Sequence, residues 1–299
     1  MKRAIGILAG KAGKAWRALN CGTIARCGGI SYFNFAIHTE VLYDEKTYKA
    51  LLGFSEKFHD LTGKKIAVCV STPACPLVSK EMESRGVGTD VFGKRVESLG
   101  RFSDIGYHGH FYGMTGGGIC QISDENYNKE IVIEQIRKEI GWFKWIGIVP
   151  EIYVAGWWFL TSDIVLELER LGISVDSSVR KGKTNTFGKS YIDDRNIPGY
   201  GEPFILPPSG SIVEIQSLFG PVMAPFMIKY HLSQYVDRER AGDLFFIFPL
   251  HDWDVPRHYS NILSGIKMLK KSLTGAEWMN IADMRASAIR QMRGNADDK

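Results

Sequence analysis

The chain reads as an α/β protein built on parallel strands, either a barrel or a wound sheet. Three observations point there. Segments rich in β-branched and aromatic residues alternate with segments whose apolar residues recur at helical spacing. "DLFFIFPLH" (243–251) is almost continuously apolar, the pattern of a strand buried on both faces. The 299 residues, 44% apolar and 12% aromatic, can fill a sizeable core, and neither repeats nor a low-complexity linker divides them.

Each element has its own justification. "ISYFNFAIHTE" (30–40) and "KKIAVCV" (64–70) have strand composition, and a third strand ends around residues 104–108. "DEKTYKALLGFSEKFHDL" (44–61) places Tyr48, Leu51, Leu52 and Phe58 at helical spacing. "ENYNKEIVIEQIRKEIGWF" (125–143) does the same with Ile133, Ile136 and Ile140. "TSDIVLELERLG" (161–172) carries Thr161 or Ser162 as N-cap and Gly172 as a stop, and "ISVDSS" (173–178) follows as a strand. "NILSGIKMLKKSL" (261–273) is a closing helix.

Bulk properties exclude several classes. The net charge of +4 is mild, and the Lys and Arg residues are dispersed among Asp and Glu, so no nucleic-acid partner is expected. No run approaches the ~18 apolar residues of a membrane span. Five widely spaced cysteines (Cys21, Cys27, Cys69, Cys75, Cys120) form no C-x-x-C pair and read as reduced thiols of a cytoplasmic protein. Residues 1–29 read as a basic N-terminal arm without a cleavage site, ahead of a single domain over 30–299. The arm is assigned a contact with a partner subunit, which implies a homo-oligomer, or with a lipid-linked substrate. "GILAGKAGKAW" (6–16) has the wrong spacing for a phosphate loop. "TGGGIC" (115–120) reads as a flexible lip over a pocket.

In a (β/α) barrel the chemistry gathers at the C-terminal ends of the strands. Four of the seven histidines fall at such ends. The first strand ends in His38-Thr39-Glu40, whose alternation sends His38 and Glu40 into one pocket. "DIGYHGHFYG" (104–113) presents His108 and His110 two residues apart. "PLHDWD" places His251, Asp252, Trp253 and Asp254 at the end of the late strand. A lone histidine at a strand end is ordinarily a hydrogen-bonded structural group. Two imidazoles and a carboxylate from converging strands suit Zn²⁺ or a similar divalent ion. His59, His231 and His258 receive no role.

These motifs resemble those of the NodB-type polysaccharide deacetylases, and within that group the deacetylase-like proteins of O-antigen biosynthesis. "VPEIYVAGWWFLTSDIVLELERLGISVDSSV" (149–179) is similar to the family's "P-x-x-F-R-x-P-x-W" segment with its helix and "D-S-S" strand. "DIGYHGHFY" is similar to "E-I-G-x-H-[ST]-x-x-H", and "FPLHDWD" to the late "L-x-x-H". "FAIHTE" occupies the place of "T-F-D-D-G", and "EWMNIADM" (277–284) that of the family's strand-and-helix ending.

The resemblance, over about residues 30 to 285, implies a distorted (β/α) barrel of about seven parallel strands. It implies a metal-dependent hydrolase that removes an acetyl or formyl group from an amino sugar during surface-polysaccharide (O-antigen, lipopolysaccharide) assembly. The substrate would be an amino sugar, a nucleotide sugar or a lipid-linked glycan. Glu40, His108 and His110 would hold the metal, Zn²⁺ before others. His38 would be a base or a fourth ligand, His251 the general acid, and Asp252 or Asp254 its orienting partner. Tyr112, Trp157, Trp158 and Trp253 would contact the sugar.

The sequence departs from the family at three places. His38 stands where the family has its base Asp, and Val154 where it has the Arg that holds that Asp. Joint loss is coherent, because a buried Arg without its carboxylate is a costly unpaired charge. The family's second metal histidine would fall on Tyr112, with His110 two residues earlier. These departures keep two alternatives open: a barrel that binds sugar without hydrolysing it, and a metal-free hydrolase that uses His38 and His251.

Overall fold

The computed structural model describes residues 29–116, 118–179, 191–217, 242–272 and 275–297. The basic arm up to residue 28, with Cys21 and Cys27, and His231 lie outside the described residues.

The centre of the fold is β1 (Ser31–Thr39), every residue of which is buried. It pairs in parallel with β10 (Leu244–His251) along its length, Ser31 opposite Leu244 and His38 opposite His251. On its other side it pairs with β2 (Ile66–Val70) from Ala36 onward, and below that with β11 (Ala276–Trp278). The sheet continues through β3 (Ser103–Gly109), β6 (Ile152–Ala155), β7 (Val175–Asp176) and β9 (Val213–Glu214), all parallel, with β8 (Phe204–Ile205) antiparallel at the end. Ser217, just past β9, forms a parallel bridge with Ile247 of β10, and Phe245 N–H donates to Gly201 O at 2.8 Å. These contacts bring the two ends of the curled sheet together. The result is a distorted barrel of seven parallel strands, β11 lying beside β1.

Alternation on the strands sorts residues between two cores. Phe33, Phe35, Ile37, Phe246, Phe248 and Leu250 face outward and pack against the helices, among them α1 (Glu45–Thr62) through Leu51, Phe54 and Phe58. Tyr32, Ala36, Cys69, Ile152, Val154, Val175, Phe245 and Ile247 face inward. The interior is narrow: a Cβ on Gly106 of β3 would lie 2.8 Å from Cys69 Sγ and 2.5 Å from Ile152 Cγ2. The N-terminal end is stoppered by α7 (Ile281–Asp297), whose Ile281, Met284 and Ala288 join the inner core. That helix is tied to the start of β3 by Ile281 N–H to Asp104 Oδ2 (3.3 Å) and to the start of β10 by Asp243 N–H to Gln291 Oε1 (2.7 Å).

The outer helices follow from capping and periodicity. Asp44 caps α1 by accepting from Thr47 N–H, and Gly63, at φ 69°, ends it. Asn128 caps α4 (Lys129–Trp145), and Thr161 rather than Ser162 caps α5 (Ser162–Arg170). The late helix α6 (Asp254–Ser272) begins at Asp254, seven residues before the expected 261. Two helices were not marked in the sequence, α2 (Pro76–Ser84) and α3 (Thr89–Leu99); both lack a side-chain cap. The glycine-rich stretch expected as a lip is part of a hairpin, β4 (Tyr112–Thr115) with β5 (Gly118–Gln121).

Candidate metal centre at the barrel mouth

Three strands deliver the histidines to the C-terminal mouth. On β1, His38 has inward parity with Tyr32 and Ala36, and the chain runs on to Glu40. Strand β3 supplies His108 and, two residues on, His110; β10 ends on His251. The four functional groups meet at one carboxylate oxygen. Glu40 Oε1 stands 3.3 Å from His110 Nε2, 3.7 Å from His108 Nε2 and 3.6 Å from His251 Nε2. Glu40, His108 and His110 each bring a ligand atom within 4.8 Å of the other two, the one such group among the described residues.

The donor chemistry of this group fits a cation. His108 Nδ1 lies 2.9 Å from Val154 O, and a carbonyl only accepts, so the ring proton belongs on Nδ1. Burial, as the leading cause, lowers His108 to about 4, so at neutral pH its Nε2 is a bare lone pair. That lone pair points at Glu40 and lies 3.0 Å from His110 Nε2. Burial pushes the Glu40 carboxyl up, and the two imidazoles hold it well below the usual carboxylate range only when a proton, or a cation in its place, lies between their nitrogens and the carboxylate. Buried His110 Nδ1 has no hydrogen-bond partner. Lone pairs of nitrogen and oxygen that converge in a buried place are satisfied by a positive ion, and one carboxylate with two imidazoles is a Zn²⁺ donor set. The Val154 carbonyl is the outer-shell partner that fixes the ring and its tautomer.

His38 lies beneath this group and outside it. Its ring stacks on His108 with centroids 4.5 Å apart, and its buried Nε2 has no hydrogen-bond partner. Burial first, then the neighbouring His108 and His251, hold it well below 6.5, so it is neutral. The Val154 side chain lies in the inner apolar core with Ala36 and Cys69, a setting in which an arginine would have no carboxylate to meet.

Of the two late aspartates expected as alternative partners of His251, the structure sets Asp254 beside it and turns Asp252 to the backbone. Asp252 is fully buried, and its carboxylate accepts from Val41 N–H (2.9 Å) and Trp253 N–H (3.0 Å). It clamps the end of β1 to the end of β10. Burial pushes it up to about 7 against those backbone donors. Asp254 is the partner of His251: its Oδ2 accepts from His251 N–H (3.1 Å) and lies 3.5 Å from Nδ1. Strand alternation turns residue 252 away from residue 251, and the first turn of α6 brings residue 254 back.

The aromatic residues brace the imidazoles. Trp253 stacks on His251 at 4.3 Å and 7°, Tyr112 stacks on His110 at 6.3 Å, and Trp157 meets His110 edge-on at 5.7 Å. Trp158 meets His38 edge-on at 6.4 Å. Trp157 and Trp158 hold φ of 56° and 62°, left-handed backbone that non-glycine residues rarely adopt and that clusters at functional sites. Gly156 precedes them because a Cβ there would lie 2.5 Å from the His110 ring.

A polar network behind His110 was not foreseen. Gln135 of α4 donates to His110 O (2.6 Å) and to Glu139 Oε1 (2.8 Å), and accepts from Tyr112 N–H (3.1 Å). Glu139 also accepts from Thr72 Oγ1 (3.1 Å). The signal in the sequence is a Gln and a Glu four residues apart on the apolar stripe that holds Ile136 and Ile140.

No family model matches the chain, and no curated protein matches it. Solved structures do. A protein assigned as a polysaccharide deacetylase from Mycobacterium smegmatis aligns at TM-score 0.57 and 12% identity, over 91% of this chain and 95% of that one. The allantoinase PuuE aligns at 0.53 and 11% identity, over 90% and 93%. The 4-alpha-glucanotransferase of Thermococcus litoralis aligns at 0.52 and 13% identity, over 86% of this chain and 40% of its own. At such identities the likeness concerns the fold: the chain has a distorted (β/α) barrel similar to that of a protein assigned as a polysaccharide deacetylase.

Proposed function

We propose that the chain is a metal-dependent hydrolase that removes an N-acyl group from an amino sugar during surface-polysaccharide (O-antigen) assembly. The observation that supports this most is the meeting of Glu40, His108, His110 and His251 around one carboxylate oxygen at the mouth of the barrel. Glu40, His108 and His110 would hold the ion, Zn²⁺ before others. A bound divalent ion supplies the means to activate a water near neutral pH and to polarise a carbonyl.

The chain's own residues do the rest. In this reading His38 is the base: its ring stacks on His108 next to the ligand set and its Nε2 has no hydrogen-bond partner, although burial makes it a weak proton acceptor. His251, held by Asp254 and by the stacked Trp253, gives a proton to the departing nitrogen. Asp252 keeps β1 and β10 in register and has no proton-transfer role in this scheme. Trp157, Trp158 and Tyr112 border the entrance and offer faces for a sugar ring. In this reading residues 30–299 are one catalytic domain, residues 1–29 an arm that meets a lipid-linked substrate or a second subunit, and the reaction is cytoplasmic.

One feature favours a second reading, a barrel that binds sugar without cleaving it. The barrel interior has His38 and Val154 where a hydrolase of the resembled family would keep a charged Asp–Arg pair. A released-amine assay on N-acylated sugar nucleotides and glycans, with added Zn²⁺, separates the two. Turnover that chelation abolishes supports the hydrolase. Saturable sugar binding with no amine released supports the binding barrel.

A further inference from the structure

A cavity of about 330 Å³ opens beside the metal group, between the ends of β1, β2 and β3. Glu40 and His110 stand at its inner end. Its walls are Val41 and Tyr43 from the loop after β1, Cys75, Leu77 and Val78 from the start of α2, and Tyr112 from β4. Two of the polar groups on these walls are turned to backbone carbonyls, and the face of one tyrosine is covered. Ser71 Oγ donates to His108 O at 3.1 Å, Cys75 Sγ is directed at His110 O at 3.8 Å, and the Tyr43 ring carries the Arg85 guanidinium at 5.0 Å. The Cys75 side chain is buried, its thiol turned to the His110 carbonyl, and so it forms part of the wall. Glu81 contributes one carboxylate.

Such a chamber suits a hydrocarbon better than a sugar. A pyranose brings hydroxyls on every side, and each one desolvated against Val41, Leu77 and Val78 would lose a hydrogen bond. The tryptophan faces that suit a ring lie elsewhere, since Trp157, Trp158 and Trp253 are not in its lining; of the aromatic residues offered to the sugar, Tyr112 alone borders both. The size is decisive for the acyl group. An acetyl places one methyl beyond its carbonyl and a formyl places none. The cavity equals roughly ten times the ~30 Å³ that one water occupies in the liquid, and it reaches the lower end of the range for whole small-molecule sites.

We infer that this cavity receives the acyl chain of the substrate, and that the chain is an apolar group several carbons longer than acetyl. The inference rests on the hydrolase reading for its place in a reaction, and it goes beyond it by naming the class of group removed. The amine leaves on the His251 and Trp253 side, and the acyl chain lies in the chamber lined by α2.

The test uses the zinc-loaded full chain and glucosamine carrying N-acetyl, N-butyryl or N-hexanoyl groups. Each buried methylene should raise kcat/KM roughly fourfold, about 250-fold over the four methylenes between acetyl and hexanoyl. Val78→Trp should remove most of that gain, and Leu77→Phe, at the exposed rim, should reduce it if the first variant folds poorly. A second arm needs no turnover: calorimetric titration with hexanoate and with acetate. Hexanoate should bind at least tenfold more tightly, and Val78→Trp should cancel the difference. Turnover that is highest with acetyl, or hexanoate that binds no better than acetate, overturns the inference and leaves the hydrolase reading intact. No amine from any N-acyl sugar sinks the hydrolase reading, and the hexanoate titration then still decides whether the chamber takes an acyl chain.

Discussion

The two ends of the barrel are made by the same strands and differ in what those strands turn inward. At the N-terminal end the inward positions are Tyr32, Ala36, Phe245 and Ile247, closed off by Met284 and Ala288 of α7. At the C-terminal end the same alternation turns inward His38, His108 and His251, with Glu40 above them. The lower end is a stability device: apolar area removed from water at about 25 cal/mol per Å². The upper end places lone pairs against a carboxylate inside a protein, which costs stability unless an ion joins them. Substitutions at one end should therefore disturb fold without site, and at the other site without fold.

The largest effect belongs to the upper end. His108→Ala or Glu40→Gln should abolish zinc retention through gel filtration and remove measurable turnover, while the melting profile of the metal-free protein stays cooperative. His251→Ala should come next. Loss of a positioned proton donor lowers kcat by about 10²–10⁴-fold and leaves KM and metal content nearly unchanged. Turnover undiminished in that variant would take His251 out of the mechanism. The counterpart at the lower end is Met284→Ala, a fully buried stopper residue. It should cost about 2–5 kcal/mol in urea unfolding with no change in zinc affinity. An equal loss of zinc affinity would mean that the two ends are not separable.

Two smaller effects sharpen the boundary. Gly156→Ala places a methyl 2.5 Å from the His110 ring. It should cost about 1–3 kcal/mol and weaken zinc binding through displacement of one ligand, whereas the same change at half-buried Gly53, with nothing within 4 Å of its Cβ, should leave zinc alone. Burial raises the Glu139 carboxyl from 4.5 to about 7. The folded state thus holds this proton more tightly than the unfolded state. Its contribution to stability is full below 4.5 and is lost as pH rises toward 7. Glu139→Gln should flatten the fall in unfolding free energy across that window relative to wild type. An unchanged slope would assign the pH dependence to other groups.

Much of this was legible in the sequence because the interior of a small barrel demands it. A strand buried on both faces cannot hide: "DLFFIFPLH" and "ISYFNFAIHTE" announce β10 and β1, and a histidine that ends such a run has nowhere to point but the mouth. The inward parity of His38 follows from the same alternation. Alternation does not separate His110 from Tyr112, which share a parity; only the folded chain shows that the ring nitrogen of His110 lies beside Glu40. What stayed unread depends on chain direction after an element ends. The sequence left Asp252 and Asp254 as alternative partners of His251; adjacency on a strand means opposite faces, and the turn into α6 returns Asp254 to His251. Helices α2 and α3 are short, lack side-chain caps and flank the two glycines Gly86 and Gly88, so beyond Pro76 at the start of α2 and Asp90 in the first turn of α3 little outlines them. They nevertheless matter, since α2 builds one wall of the acyl chamber. The Gln135–Glu139 brace is visible only once the buried face of α4 is known.

Zinc stoichiometry tests this account most directly. Purified protein would be stripped with a chelator, titrated with Zn²⁺ and followed by calorimetry, with the His108→Ala/His110→Ala double variant alongside. One tight site per chain in the wild type, absent from the variant, is the expected result. Wild-type protein that takes up no zinc, or a double variant that binds it as tightly, would contradict the claim that the barrel mouth is a metal centre.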